Sequence, residues 1–116
     1  MQSIWPDTAT NFKEEGATVP FVTYVDGEKT IIGFDSRECV PPEPMVNAML
    51  ALKHIKDAHT QVVMVNHRSP VGLLAKIGED FDIEEKALEE GTVKLVFSYK
   101  PGVTEQAKLD DASCAG

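Results

Sequence analysis

Residues 31–65 read IIGFDSRECVPPEPMVNAMLALKHIKDAHTQVVMV: an apolar strand-forming run, a proline-rich loop, an amphipathic stretch and a second apolar run. That order describes a β-α-β unit. Pro41, Pro42 and Pro44 cannot sit inside a helix but are tolerated in its approach and first turn, so the helix is expected to begin near Pro42 or Glu43. Met45, Ala48, Met49, Leu52 and Ile55 recur at helical spacing and predict one buried face, with Asn47, Lys53, His54 and Lys56 outside it. TQVVMVNH, at 60–67, is nearly continuously apolar, as expected of a strand covered on both faces or central in its sheet. If the two strands are parallel, the crossover is right-handed and their carboxyl ends share one edge of the sheet.

Working outward, FVTYVDGEKTIIGFD at 21–35 places Asp26-Gly27 between two β-rich runs, and Asp-Gly supplies the positive φ angles of a type I′ hairpin turn. Downstream, Ser69-Pro70 reads as the N-cap and first residue of a second helix, with Val71, Leu73, Leu74 and Ile77 facing inward. Gly78 suits a left-handed C-terminal position. FDIEEKALEEGTVKLVFSYK, at 81–100, is a closing hairpin that turns at Glu90-Gly91, with Val93, Leu95, Phe97 and Tyr99 on one face. The predicted order is β-β-α-β-α-β-β, an α+β fold built as a two-layer α/β sandwich with a mixed sheet. Residues 1–18 read as a loosely attached arm, 19–100 as a single domain and 101–116 as a mobile acidic tail.

The chain has 116 residues, which fits one domain. Its net charge of -8 repels phosphate backbones and anionic membranes, so nucleic acid is not an expected partner. No apolar run approaches the roughly 20 residues that span a bilayer, and the first residues lack the pattern of a signal peptide. The cytoplasm is the expected compartment, and a protein partner or a small ligand the expected binding target. There is no P-loop, no G-x-G-x-x-G and no G-x-S-x-G, so the sequence carries no enzyme signature of those kinds.

Asp35, Arg37, Pro42 and Pro44 in FDSRECVPPEPMVNAMLALKHI match the opening of the sulfur-carrier domains of the TusA/SirA-like superfamily, which the chain resembles over residues 31–100. The carrier cysteine of that family falls on Pro41, so the sequence is more similar to a sister group of bacterial domains of unknown function that read Pro-Pro-Glu-Pro there. His67 and Pro70 in NHRSP match a His shortly followed by Pro in that group. The resemblance implies a TusA-like β-α-β-α-β-β core with one extra strand in front. It also implies a setting in redox, sulfur or nitrogen-oxide metabolism, without fixing an activity.

The edge where the two parallel strands end is the place to expect function in an open α/β sheet. Asp35, Arg37, Cys39 and Glu43 come from one loop there, and Asn66, His67, Arg68 and Ser69 from the other. Asp35 and Arg37 are expected to pair with each other, since a guanidinium fork fits a carboxylate. Cys39 reads first as an apolar plug beneath its loop. A thiol relay through Cys39 or Cys114 is the alternative, although a carrier thiol belongs at a helix N-terminus, where Pro41 stands. His67 has three readings: a cap for the second helix, a hydrogen-bonding group toward a ligand, or a metal ligand with Cys39 or Glu43. No cofactor is expected, and a metal site at His67 is the minority reading. The acidic run at 76–91 is a solvated surface that can attract a basic partner.

Overall fold

A computed structural model describes residues 5–40 and 43–101. Among them the elements are β1 (Thr10–Phe12), β2 (Phe21–Asp26), β3 (Lys29–Asp35), α1 (Glu43–Leu52), β4 (Thr60–Asn66), α2 (Val71–Ile77), β5 (Phe81–Ala87), a 3-10 turn (Glu89–Gly91) and β6 (Val93–Tyr99). The strands form one mixed sheet in the order β1-β2-β3-β4-β6-β5, in which only β3 and β4 pair in parallel. The chain is therefore α+β, as the patterning predicts: a six-stranded sheet with two helices packed over it.

The period-2 alternation of the strands decides which side chains meet the helices. Phe21, Ile32, Phe34, Val62, Met64, Leu95 and Phe97 form the helix-facing side, buried against Met45, Ala48, Met49, Leu52, Leu73 and Ile77. Each fully buried side chain of that size contributes about 1.5–3 kcal/mol. Phe21 and Phe34, directly opposite in register, add a stacked pair with centroids 5.2 Å apart. The opposite face carries Val22, Ile31, Val63 and Val65, all buried although neither helix covers them. Trp5 lies there across Gly33, where a β-carbon would come within 2.7 Å of its ring.

The loosely attached arm expected over residues 1–18 needs correction, and with it the element order. Thr10–Phe12 adds a third antiparallel strand beside β2. Phe12 packs edge-on against Phe21, its one large apolar side chain in that strand, which left no alternation to read in the sequence. The following loop returns over α1. Thr18 N–H donates to Asn47 Oδ1 and Asn47 Nδ2 donates to Thr18 Oγ1, each at 2.9 Å. Asn47 is consequently fully buried rather than on the outer side of the helix, its amide satisfied by a residue distant in sequence. His54 lies beyond the end of α1, not on its solvent side, and meets Glu14 at 2.8 Å.

Three expectations for the second helix also change. Pro70, not Ser69, is the N-cap, and Ser69 Oγ donates instead to Glu85 Oε1 at 3.0 Å. Val71 is 70% exposed, because in a helix this short the buried stripe narrows to Leu73 and Ile77, with Leu74 half-buried. Gly78 has right-handed dihedrals, φ -61 and ψ -21. The absence of a side chain serves close approach there: a β-carbon would stand 2.6 Å from the Leu74 carbonyl oxygen. Both hairpins form, but the first turns on Gly27-Glu28 between the paired Asp26 and Lys29, with positive φ at Gly27 alone, so it is not the type I′ turn that Asp26-Gly27 predicts; the second has positive φ at Glu90 and Gly91. Pro41, Pro42 and most of the tail at 101–116, Cys114 included, lie outside the described residues. No helix among the described residues is long and apolar enough to cross a membrane.

Candidate functional site at the carboxyl edge of the sheet

Parallel pairing of β3 with β4 brings both carboxyl ends to one edge, and β5, parallel to β4 through the intervening antiparallel β6, ends there too. Ser36, fully buried just past β3, fastens the first loop to the second. Its N–H and hydroxyl donate to the Val65 carbonyl, and the hydroxyl also lies 2.8 Å from Asn66 Oδ1. Asn66 Nδ2 in turn donates to the Arg68 carbonyl at 2.9 Å. Asn66 is thus committed to holding the loop, because a buried amide must spend its polar atoms on partners within the protein.

Beside this junction a cavity of about 320 Å³ opens between the first turn of α1 and the β4–α2 loop. Pro44 and Met45 line one side, and Asn66, His67, Arg68, Ser69, Pro70, Val71, Gly72 and Leu73 the other. That volume lies at the small end of the range for ligand sites, and the mix of an apolar floor with few polar groups is their usual composition. Met45 and Leu73 belong to the core and make the floor, while exposed Val71 and Arg68 stand at the mouth. His67 is half-buried, and its Nδ1 is shut off from solvent with no described residue hydrogen-bonded to it. An unpaired buried nitrogen of this kind costs about 1–3 kcal/mol. The His67 carbonyl lies close to Gly91, 3.9 Å from where a β-carbon would stand, so the acidic Glu89–Gly91 turn abuts the same loop.

The eight candidate residues therefore do not converge in one crevice. Asn66, His67, Arg68 and Ser69 line the cavity; Asp35, Arg37, Cys39 and Glu43 do not. Strand alternation is the reason for Asp35, which follows Gly33 on the face away from the helices. There Arg37 Nε and Nη2 donate to both Asp35 carboxylate oxygens at 2.7–3.1 Å, and the Arg37 backbone N–H adds a bond at 3.0 Å. Burial alone would raise the Asp35 pKa, but these hydrogen bonds and the guanidinium charge outweigh it and hold the carboxyl below its ordinary value. The pair closes on itself, as its spacing predicts, and it remains partly solvated.

Cys39 turns toward Thr18 and Glu43 instead. Thr18 Oγ1 donates to Glu43 Oε1 at 3.2 Å, and the thiol sits against both residues. Burial, then the Glu43 charge and a hydrogen bond to Glu43, raise its pKa above the ordinary thiol value, which opposes the thiolate a sulfur carrier needs. Among the described residues no three or more His, Cys, Asp and Glu side chains gather where they could hold a metal. Sequence reasoning missed Ser36, Thr18 and Asn47 as the fasteners of the two loops, and Met45, Gly72 and Leu73 as cavity walls. Pro44 and Pro70 carried the only local signal, both standing in the motifs that flank the cavity.

Fold and site together define a two-layer α+β domain with a small, mostly apolar cavity at the carboxyl edge of its sheet. Comparison with known proteins finds no matching family model, no similar curated protein and no similar solved structure.

Proposed function

We propose that this chain is a small cytoplasmic binding protein, accessory rather than catalytic, whose ligand or partner seats in the cavity between α1 and the β4–α2 loop. The observation that carries this reading is the cavity itself, with His67 in its wall bearing a nitrogen that no described residue satisfies. The half-buried His67 ring lines one wall, and Met45 and Leu73 supply apolar contact beneath it. The resemblance of Asp35, Arg37, Pro42, Pro44, His67 and Pro70 to TusA/SirA-like domains supports a setting in redox, sulfur or nitrogen-oxide metabolism. A thiol relay is less well supported, because the surroundings of Cys39 hold it in the neutral form.

The test is a fragment library screened by amide chemical shifts. Binders are expected to move the resonances of Met45 and of residues 66–73, and to lose at least tenfold in affinity in His67→Ala. That variant should melt within a few degrees of the parent, since the ring is only half-buried. Arg37→Ala, outside the cavity, should bind normally. Shifts that map elsewhere, or binding indifferent to His67, would overturn the reading.

A further inference from the structure

The margin of this cavity has a chemistry of its own. The sheet edge on which it opens gathers the ends of β3, β4 and β5 and the start of β6. Its charged residues are mostly acidic. Glu85 accepts a hydrogen bond from Ser69, a cavity wall residue, and the Glu89–Gly91 turn abuts the His67 carbonyl. Glu85 on β5 and Glu89 and Glu90 in the turn are exposed, while Glu84 and the exposed Lys86 and Lys94 alternate onto the sheet face away from the helices. Arg37 is already engaged by Asp35, which leaves Arg68 as the cation at the cavity mouth. Against this stand large exposed apolar side chains on the same edge: Val71 at 70% and Val40, just before α1, at 63%.

An apolar pit with the exposed Val71 at its mouth and carboxylates along one flank is the complement of a particular kind of chain segment. We infer that the occupant is a basic peptide segment of a partner protein, with a bulky aliphatic side chain as anchor. The anchor seats on Met45 and Leu73 between Pro44 and Pro70, and Val71 closes over it. Lysine or arginine residues beside the anchor meet Glu85, Glu89 and Glu90. A second copy of this chain does not fit the role, because two molecules of charge -8 bring acidic edges together. This inference rests on the cavity being a binding site, and it adds the class of partner.

The probe is a fluorescein-labelled peptide of alternating lysine and glycine with one central leucine, read by anisotropy and by amide shifts of the isotope-labelled full chain. Binding is expected to shift residues 66–73 and to weaken about tenfold when the leucine is replaced by serine. Val71→Ser should weaken it about fivefold. The triple variant Glu85→Gln, Glu89→Gln, Glu90→Gln should weaken it about tenfold at low salt, and that difference should vanish near 1 M salt. These residues are exposed, so the variants are expected to fold, and unchanged circular dichroism confirms it. A peptide with glutamate in place of lysine that binds as well, affinity indifferent to the leucine, or full affinity in the triple variant would each overturn the inference. Fragments that occupy the cavity while the lysine-leucine peptide fails to bind would overturn the partner class and leave the cavity reading standing; failure of both would remove both.

Discussion

At Cys39 burial disfavours the thiolate and the neighbouring Glu43 carboxylate adds repulsion, so the folded chain keeps this proton to higher pH than the unfolded chain does. The sign follows from that difference: the contribution to stability is fully present below the ordinary thiol value and is lost as the pH rises through the raised one. In a Cys114→Ser background, alkylation of native Cys39 by iodoacetamide should therefore be slow at neutral pH, with its midpoint displaced to the alkaline side of a free cysteine. Glu43→Gln should move that midpoint down and speed the reaction several-fold. An unshifted midpoint in the parent protein would show an ordinary, accessible thiol. The plug reading of Cys39 was available from its loop position, whereas its partners were not. Thr18 arrives from a loop more than twenty residues upstream, and nothing in the local sequence announces that contact.

Within elements, the amphipathic stripes and hairpin turns were legible because each depends on spacing along a few residues. Gly27 and Glu90-Gly91 supply the positive φ where the chain turns, and α1 starts at Glu43 as its prolines require. The faces of short elements were less legible. In α2 the pattern places Val71 on the inward face, but packing against the core selects Leu73 and Ile77 and leaves Val71 exposed. Gly78 separates the two levels most sharply. Alanine at a right-handed helical position ordinarily gains up to about 1 kcal/mol over glycine. Here the new β-carbon would press on the Leu74 carbonyl, which is backbone and cannot swing aside, so Gly78→Ala should lower stability by about 1–2 kcal/mol. A lowered urea midpoint with unchanged slope would bear this out; a raised midpoint would mean the turn relaxes without cost.

Across the whole molecule the strand order sets a gradient of protection. β3, β4 and β6 are hydrogen-bonded on both sides, while β1 and β5 are the borders of the sheet and β1 is only three residues long. Native-state hydrogen exchange should be slowest in β3, β4 and β6 and fastest in β1, with β5 between them. Slow exchange in β1 would mean that its edge is covered. The same order separates what composition and patterning determined from what folding decided. An α+β sandwich follows from short-range periodicity, because period and turn chemistry are local properties of the chain, whereas the parallel pairing of β3 with β4 was a condition that the structure meets. Other facts depend on which face each side chain leaves and on hydrogen bonds between residues far apart in sequence. Asp35 and Arg37 turn away from the cavity, Asn47 is buried by Thr18, and Pro44 and Met45 face His67 across a void. No local spacing encodes those meetings, and only the tertiary structure brings them about.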